Sequence, residues 1–384
     1  MSSEQPIYLD NNATTRCDPA AVATMLPYFT EWYGNAATGL HAQGRRATRA
    51  IDNARQQVAE LIGAYSDEIV FTSGATESNN LAILGLARRV LDRQRTRIVT
   101  TSVEHKAVLE PCHLLTAAGF ELVVLPVDSE GRVDLAAAES AINTNTLLVT
   151  VQAANNEIGT LQPVSSLAEM AHAVGAIVHC DAAQAVGKIP VDVAAWGVDL
   201  LSLSAHKFYG PKGVGALYIR NGPRAIPLEP LAYGGGQERS VRSGTSNVPG
   251  IVGLGAAAQL CKTNLSVEAE RIGAMRHTLE SQLLSHLPGS WINGTKAERL
   301  PNTISLTIPG IDADALLLNM PDIMLGVGSA CSTGAMEPSH VLQAIGLSRE
   351  DAAATIRLSL GRFNSPDQIP LIINELVHTI LTSK

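Results

Sequence analysis

The stretch AIVHCDAAQ, residues 176–184, joins a short apolar run to a polar turn. Continuous apolar runs of this length are typical of strands buried on both faces of a sheet. Similar runs recur between about residues 50 and 260, and helix-length segments separate several of them. Together they predict an α/β fold whose large domain holds a mostly parallel, seven-stranded sheet. The other runs are EIVFT (68–72), RIVTT (97–101), ELVVLPV (121–127), TLLVTVQ (146–152), DLLSLSA (199–205) and GALYI (215–219).

The length and the later part of the chain predict a second, smaller domain. A chain of 384 residues is too long for one compact core. From about residue 263 the pattern changes to a long helix at 267–287, several short apolar runs and a last helix. We therefore expect a large domain ending at residue 262 and a smaller α+β domain over 263–384.

Composition indicates an ordinary globular enzyme and excludes several other classes of protein. Hydrophobic residues make up 46% and charged residues 17%, with a net charge of −8, which argues against direct nucleic-acid binding and a basic membrane-binding surface. We read neither a signal peptide nor a membrane-spanning run. Five scattered cysteines, in no CxxC pattern, favour a reducing cytoplasm over disulfides or a metal site. They are Cys17, Cys112, Cys180, Cys261 and Cys331.

The first candidate site follows EIVFT, at a strand end where open parallel sheets bind ligands. The run continues into SGATESNN, where Ser73, Gly74, Ala75 and Thr76 place backbone N–H groups and hydroxyls at a helix N-terminus. That arrangement suits a phosphate group. The alternative is an ordinary helix cap.

Two further strand ends carry a carboxylate and an amine. Asp181 ends the run AIVHCD, and a half-buried carboxylate there suits a protonated ring nitrogen, with Gln184 available for a nearby hydroxyl. Lys207 follows DLLSLSA, where desolvation favours the neutral amine that forms a Schiff base. A salt bridge or turn cap at Asp181 and a snorkelling lysine at Lys207 are the alternatives.

A phosphate cradle, a ring-nitrogen carboxylate and a Schiff-base lysine are together what pyridoxal phosphate requires. His105, in SVEHKAVLE after RIVTT, is placed to lie on the ring, although a histidine at this position also suits a helix cap. Cys331, in GVGSACSTGAMEPSH (326–340), has only small neighbours and no second cysteine nearby. It is either a core residue or a nucleophile. The glycines of this stretch suggest a mobile loop.

Many motifs, in order along nearly the whole chain, resemble those of the cysteine desulfurases of the NifS/IscS type (group I), among the fold-type I pyridoxal phosphate enzymes with an aspartate aminotransferase-like fold. In that fold an N-terminal segment joins the small domain, which implies a large domain over 16–262 and a small domain built from 1–15 and 263–384. The motifs are YLDNNATT, FTSGATESNN, EHKAV, NNEIG, CDAAQ, SAHKFYGPKG, GGGQE, RSGT, GSAC followed by EPSHVL, and IRLSLGRF.

The resemblance implies the conversion of L-cysteine to L-alanine, with a persulfide formed on Cys331 and passed to an acceptor protein. It also implies a homodimer with shared sites, in which Thr245 reaches the partner's phosphate. Lys207 holds the cofactor and shuttles the proton, and His105 stacks on the ring and serves as a candidate base for Cys331. Asp181 and Gln184 bind the ring. The implied phosphate ligands are Gly74, Ala75, Thr76, Ser204 and His206, and the substrate carboxylate would meet Asn35, Asn156 and Arg357.

Two departures leave the pathway open. The chain reads GNAAT at 34–38 where the family commonly has GNPSS, and it stops soon after the last helix, where relatives that serve iron–sulfur assembly carry a tail that docks the scaffold protein. Iron–sulfur assembly, tRNA thiolation and DNA phosphorothioation all stay open as pathways. Selenocysteine lyase, aminotransferase and a non-catalytic scaffold in a sulfur-transfer complex are the competing functions.

Overall fold

The computed structural model describes residues 6–89, 95–327 and 338–382. Its strands are β1 (Ile7–Tyr8), β2 (Ile69–Thr72), β3 (Arg97–Thr101), β4 (Glu121–Leu125), β5 (Thr146–Gln152), β6 (Ile177–Asp181), β7 (Leu200–Ser204), β8 (Gly215–Ile219), β9 (Trp291–Ile292), β10 (Thr303–Thr307), β11 (Ile323–Met324), β12 (Gly326–Val327) and β13 (Thr355–Ser359). Its helices are α1 (Pro19–Met25), α2 (Pro27–Thr30), α3 (Ala42–Leu61), α4 (Ala75–Arg89), α5 (Lys106–Thr116), α6 (Leu135–Ala141), α7 (Val164–Ala173), α8 (Val193–Trp196), α9 (Val248–His286), α10 (Ala313–Leu318), α11 (His340–Ala344), α12 (Arg349–Ala353) and α13 (Gln368–Thr382).

The central sheet has seven strands in the order β2-β8-β7-β6-β5-β3-β4. The neighbours from β7 to β4 pair in parallel, whereas β8 runs antiparallel to both β2 and β7. Strands β5, β7 and β8 are buried along their whole length, as their continuous apolar sequence requires. The prediction of a mostly parallel α/β sheet is confirmed. Asp181 and Ser204 end the adjacent strands β6 and β7 at the same edge of this sheet.

A smaller sheet and a separate hydrophobic cluster lie in the later part of the chain. Its strands are ordered β12-β13-β10-β9 and all pair antiparallel. The N-terminal segment reaches this region, because β1 pairs in parallel with β11 and Asp10 bridges to Ser359. Leu9 belongs to the same cluster as Ile304 and Ile356. These contacts support the proposed grouping of 1–15 with 263–384, which otherwise remains a proposal.

Helix α9 differs from the sequence prediction and crosses the proposed domain boundary. It begins at Val248 rather than at residue 267, and Asn247 caps it by accepting a hydrogen bond from the Gly250 N–H. The glycine-rich start is required by close packing: a Cβ on Gly253 would lie 2.4 Å from the Met25 sulfur, and one on Gly255 would lie 2.6 Å from the Ala54 Cα. The glycines that weaken the helical pattern in the sequence therefore permit the contacts with α1 and α3.

In the part of the chain that the structure describes, no helix combines the length and apolar character needed to cross a bilayer.

Candidate active site

A cavity of about 590 Å³ lies at the carboxyl ends of the central strands. Asn35 and Thr245 are exposed and do not line it, and Cys331 lies outside the described residues. The other predicted site residues all line the cavity: Gly74, Ala75, Thr76, His105, Asn156, Asp181, Gln184, Ser204, His206, Lys207 and Arg357.

Lys207 lies in the short turn that follows β7, with its amine directed at the N-terminal segment. The Nζ donates hydrogen bonds to the backbone oxygens of Asn12, at 2.6 Å, and Ala13, at 2.9 Å. Burial, and to a lesser extent the Arg357 charge, lowers the pKa of Lys207 to about 8. About a tenth of this lysine is therefore the neutral, nucleophilic amine at pH 7, a far larger share than for an unperturbed lysine.

Asp181 presents a buried carboxylate to the cavity, with a fixed orientation. It is 5% exposed, and its Oδ2 accepts a hydrogen bond from Asn79 Nδ2 at 2.7 Å. Its Oδ1 accepts from the Ala183 N–H at 3.0 Å. The turn cap considered as an alternative is therefore present, and the carboxylate also lines the cavity. A carboxylate held in this way suits a protonated ring nitrogen.

The position of His105 is compatible with both roles considered from the sequence, the helix cap and the contact with the cofactor ring. Its Nδ1 accepts a hydrogen bond from the Ala107 N–H at 3.0 Å and caps α5, while the residue lines the cavity. The cavity walls take the ring partly out of water and lower the pKa of His105. The neutral ring then carries its hydrogen on Nε2, because Nδ1 serves as an acceptor.

The turn before α4 forms one wall of the cavity. Gly74 has a φ of +152°, a conformation that favours glycine, and a Cβ there would lie 3.4 Å from Ser204 Oγ. The Ser73 N–H, which was expected at the anion site, instead donates to Glu77 Oε2 at 2.7 Å. The first N–H groups of α4, beginning at Ala75, have no partner within the helix and so favour an anion.

His206 lines the same part of the cavity. Its Nδ1 lies 3.1 Å from Thr14 Oγ1, and burial lowers the pKa of the ring to about 4. The ring is therefore neutral near neutral pH and is available as a hydrogen-bond partner rather than as a charge.

Arg357 enters the cavity from β13. Its Nη2 donates to Asp10 Oδ1 at 2.6 Å and its Nη1 to the Asn156 backbone oxygen at 3.1 Å. The buried Nε has no partner among the described residues. Gly326 pairs with Arg357 across the ladder, and a Cβ on Gly326 would lie 2.9 Å from Nη2. Arg357 lines the cavity, and the positive charge and fork of its guanidinium favour a carboxylate ligand there.

Three residues that sequence reasoning did not single out organise this site. The backbone oxygen of Asn12 accepts from both Lys207 Nζ and Gln184 Nε2, and Asn79 orients Asp181. Lys188 donates to Asn12 and Gln184 from below the cavity. Asn12 and Asn79 lie in the quoted motifs YLDNNATT and SGATESNN, so those motifs were the available signal. The described residues contain no cluster of three or more His, Cys, Asp or Glu side chains that could hold a metal ion.

Comparison with known proteins places the whole chain among related sequences. The family model described as aminotransferase class-V matches residues 7–372. The chain is 46% identical over 368 residues to a cysteine desulfurase IscS of Anaeromyxobacter dehalogenans (strain 2CP-C), covering 96% of this chain and 91% of that one. A solved NifS-like protein superposes with a TM-score of 0.91 at 39% identity, covering 98% of this chain and 99% of that one. A structure titled SspA in complex with cysteine superposes with a TM-score of 0.82 at 37% identity, covering 94% and 100%.

Proposed function

The chain belongs to the aminotransferase class-V family, and we propose from this premise that it is a pyridoxal phosphate-dependent cysteine desulfurase. It converts L-cysteine to L-alanine and retains the sulfur as a persulfide on Cys331. The observation that carries the proposal is one cavity that contains the Lys207 amine, the Asp181 carboxylate and the Arg357 guanidinium. These groups serve to bind the cofactor covalently, to keep its ring protonated and to bind an amino-acid carboxylate.

The residues present fit pyridoxal phosphate. The phosphate would lie at the start of α4, against Ser204 and His206, where the absence of a side chain on Gly74 leaves room. Asp181 would face the ring nitrogen and Gln184 the ring hydroxyl. When bound, the cofactor supplies an electron-accepting ring that stabilises negative charge on the substrate α-carbon.

Arg357 and Lys207 have separate roles in handling the substrate. The Arg357 guanidinium holds the carboxylate, and Asn156 lines the same cavity. Lys207 would take the α-proton as its neutral amine, a form that burial in this cavity favours by lowering its pKa. Because His105 already uses Nδ1 as an acceptor, this geometry gives no support to a role as the base for Cys331. Its place in the cavity lining is compatible with the stacking role.

Cys331 acts on the substrate sulfur. Its thiolate forms the S–S bond while the Cβ–S bond of the substrate breaks, and the electron pair stays with the carbon, which takes up a proton to become the methyl group of alanine. The four described cysteines are poor candidates, because burial raises the pKa of each thiol. The pKa reaches about 12 for Cys112 and Cys261, rises well above its usual value for Cys180, and rises for Cys17 as well.

The test is incubation of the purified protein with L-cysteine. We expect alanine in solution and one additional sulfur on Cys331, located by mass spectrometry of peptides. Cys331→Ala should abolish the persulfide, whereas Cys17→Ala, which removes a partly accessible cysteine, should leave it unchanged. A keto acid as product, or a persulfide confined to another cysteine, would contradict the proposal.

We also propose that the protein acts as a homodimer in which Thr245 completes the partner's phosphate site. Thr245 is exposed and lies outside the cavity of its own chain, which is compatible with a role in another subunit. If so, Thr245→Ala and Lys207→Ala subunits mixed after unfolding should form heterodimers with one intact site and regain activity. Activity that stays at the level of the separate variants would contradict the shared site.

The persulfide sulfur passes to an acceptor protein in the cytoplasm. Iron–sulfur assembly, tRNA thiolation and DNA phosphorothioation each supply such acceptors. Capture of binding partners with the persulfide form, compared with Cys331→Ala, would distinguish them.

A further inference from the structure

Lys188 is a buried lysine outside the proposed catalytic set. It lies in the turn that follows β6, four residues after Gln184, and is 9% exposed. Its Nζ donates to Gln184 Oε1 at 2.5 Å and to Asn12 Oδ1 at 2.9 Å. Among the described residues no carboxylate pairs with it, and Glu268, which lines the same small cavity, is bound by Arg362. This amine has no acidic partner there and instead donates hydrogen bonds to two side-chain amides.

The contact with Lys188 determines which end of the Gln184 amide is available to the active-site cavity. Oε1 accepts from Lys188, and Nε2 donates one hydrogen to the Asn12 backbone oxygen at 2.9 Å. A primary amide has two N–H hydrogens, so one N–H remains. Gln184 lines the active-site cavity, and this remaining donor is what it offers there.

The same lysine also fixes the segment that receives the Lys207 amine. Asn12 is 1% exposed, and its Oδ1 accepts from both Lys188 and Asn302. Its backbone oxygen accepts from Lys207 Nζ at 2.6 Å. Lys188 thus holds the Gln184 amide, which lines the cavity, and the side chain of Asn12, whose backbone oxygen receives the Lys207 amine.

We propose that Lys188 is a positioning residue, which holds the Gln184 amide with an N–H toward the cavity and thereby tunes the protonation of the Schiff base at Lys207. The inference rests on the proposed role of Gln184 at the ring hydroxyl. A donor at that oxygen favours the deprotonated Schiff base, in which the oxygen no longer shares the imine proton. Loss of the donor should therefore raise the pH at which the Schiff base loses its proton.

The charge state of Lys188 agrees with this role. Burial, with the nearby charges of Lys207 and Arg357, lowers the pKa of Lys188 well below its usual value. A neutral amine has two N–H hydrogens, which match the two amide oxygens that it contacts. The network therefore holds without a buried, unpaired charge.

The experiment follows the visible absorbance of the holoenzyme as a function of pH. Lys188→Met, similar in size but without a donor, should raise the pH midpoint of Schiff-base deprotonation by about one unit, because the Gln184 N–H is then no longer held toward the cavity. Gln184→Ala should raise it similarly, and the double variant should add nothing further. The matched control is Asn302→Ala, which removes the other donor to Asn12 Oδ1 and should leave the midpoint unchanged.

Each outcome decides the inference. A midpoint that moves in Gln184→Ala but not in Lys188→Met overturns it, and so do additive shifts in the double variant. If the midpoint is unchanged in Gln184→Ala, Gln184 does not act on the Schiff base and the inference fails. The desulfurase proposal is tested separately, by the formation of alanine from cysteine. If Lys188→Met does not fold, Lys188→Gln, whose shorter amide cannot reach both acceptors, should shift the midpoint in the same direction, and no shift there overturns the inference.

Discussion

The two halves of the cavity are built from different parts of the chain. The half proposed to hold the cofactor (the cofactor half) contains Asp181 and Lys207, which lie at or just after the ends of adjacent parallel strands. The half proposed to bind the substrate carboxylate (the carboxylate half) contains Arg357, which comes from an antiparallel strand and is held by Asp10 of the N-terminal segment, 347 positions away. The first half depends on local strand geometry and the second on contacts between distant segments.

This difference suggests that one half serves the reaction and the other serves substrate binding. Groups at the strand ends have their electrostatics set by burial in the central sheet, as the lowered pKa of Lys207 illustrates. Arg357 instead has its position set by Asp10 and by the space at Gly326. Substitutions in the cofactor half should therefore abolish turnover, and substitutions in the carboxylate half should mainly weaken binding.

The largest effect is expected for Lys207→Ala. Without the amine the cofactor cannot be bound covalently and the α-proton has no acceptor, so both alanine formation and the visible Schiff-base absorbance should be lost. Lys207→Arg is the matched variant, since it keeps the charge but cannot form the Schiff base, and it should be equally inactive. Turnover is measured as alanine released from cysteine. If either variant retains it, Lys207 is not essential for the reaction.

A smaller effect is expected for Arg357→Ala. Loss of a charge-assisted contact of about 1.5–3 kcal/mol should raise KM for cysteine about 10- to 100-fold, with a lesser change in kcat. Asp10→Asn provides the comparison: it keeps a hydrogen-bond acceptor for Nη2 but removes the charge that competes with the substrate carboxylate. The KM of the Asp10→Asn variant for cysteine should therefore not rise as it does in Arg357→Ala. Equal increases in KM would indicate that Asp10 and Arg357 act only as a structural ion pair.

The same difference explains what the sequence could reveal. Lys207 and Asp181 were predictable because strands are visible as apolar runs and ligands bind at their ends. Asn12 lies in a quoted motif, but its role and that of Lys188 were not predictable, because they depend on a contact between positions 176 residues apart. Arg357 and Asn156 were found only through the family resemblance. The start of α9 was missed because its glycines, which allow close packing, resemble helix breakers in the sequence.

The smallest effect on catalysis is expected at Glu104, a carboxyl group that precedes His105 in the chain and lies outside the cavity lining. It is fully buried, with Oε1 accepting from Thr101 Oγ1 and the Gln152 N–H, and Oε2 has no partner among the described residues. Burial raises the pKa of Glu104 to about 8. The folded protein therefore keeps this proton between about pH 4.5 and 8 while the unfolded chain releases it, so the stabilisation falls as pH rises through that range.

Glu104→Gln should remove that pH dependence while leaving turnover nearly unchanged. Relative to the variant, the wild-type protein should lose about 1.4 kcal/mol of unfolding free energy per pH unit between pH 5 and 8. Chemical denaturation at several pH values measures the difference, and Glu110→Gln, an exposed position on α5, is the control with no such trend expected. Parallel curves for wild type and Glu104→Gln would mean that the buried carboxyl is ionised in the folded protein. A loss of turnover in Glu104→Gln would instead show that the cofactor half extends beneath His105.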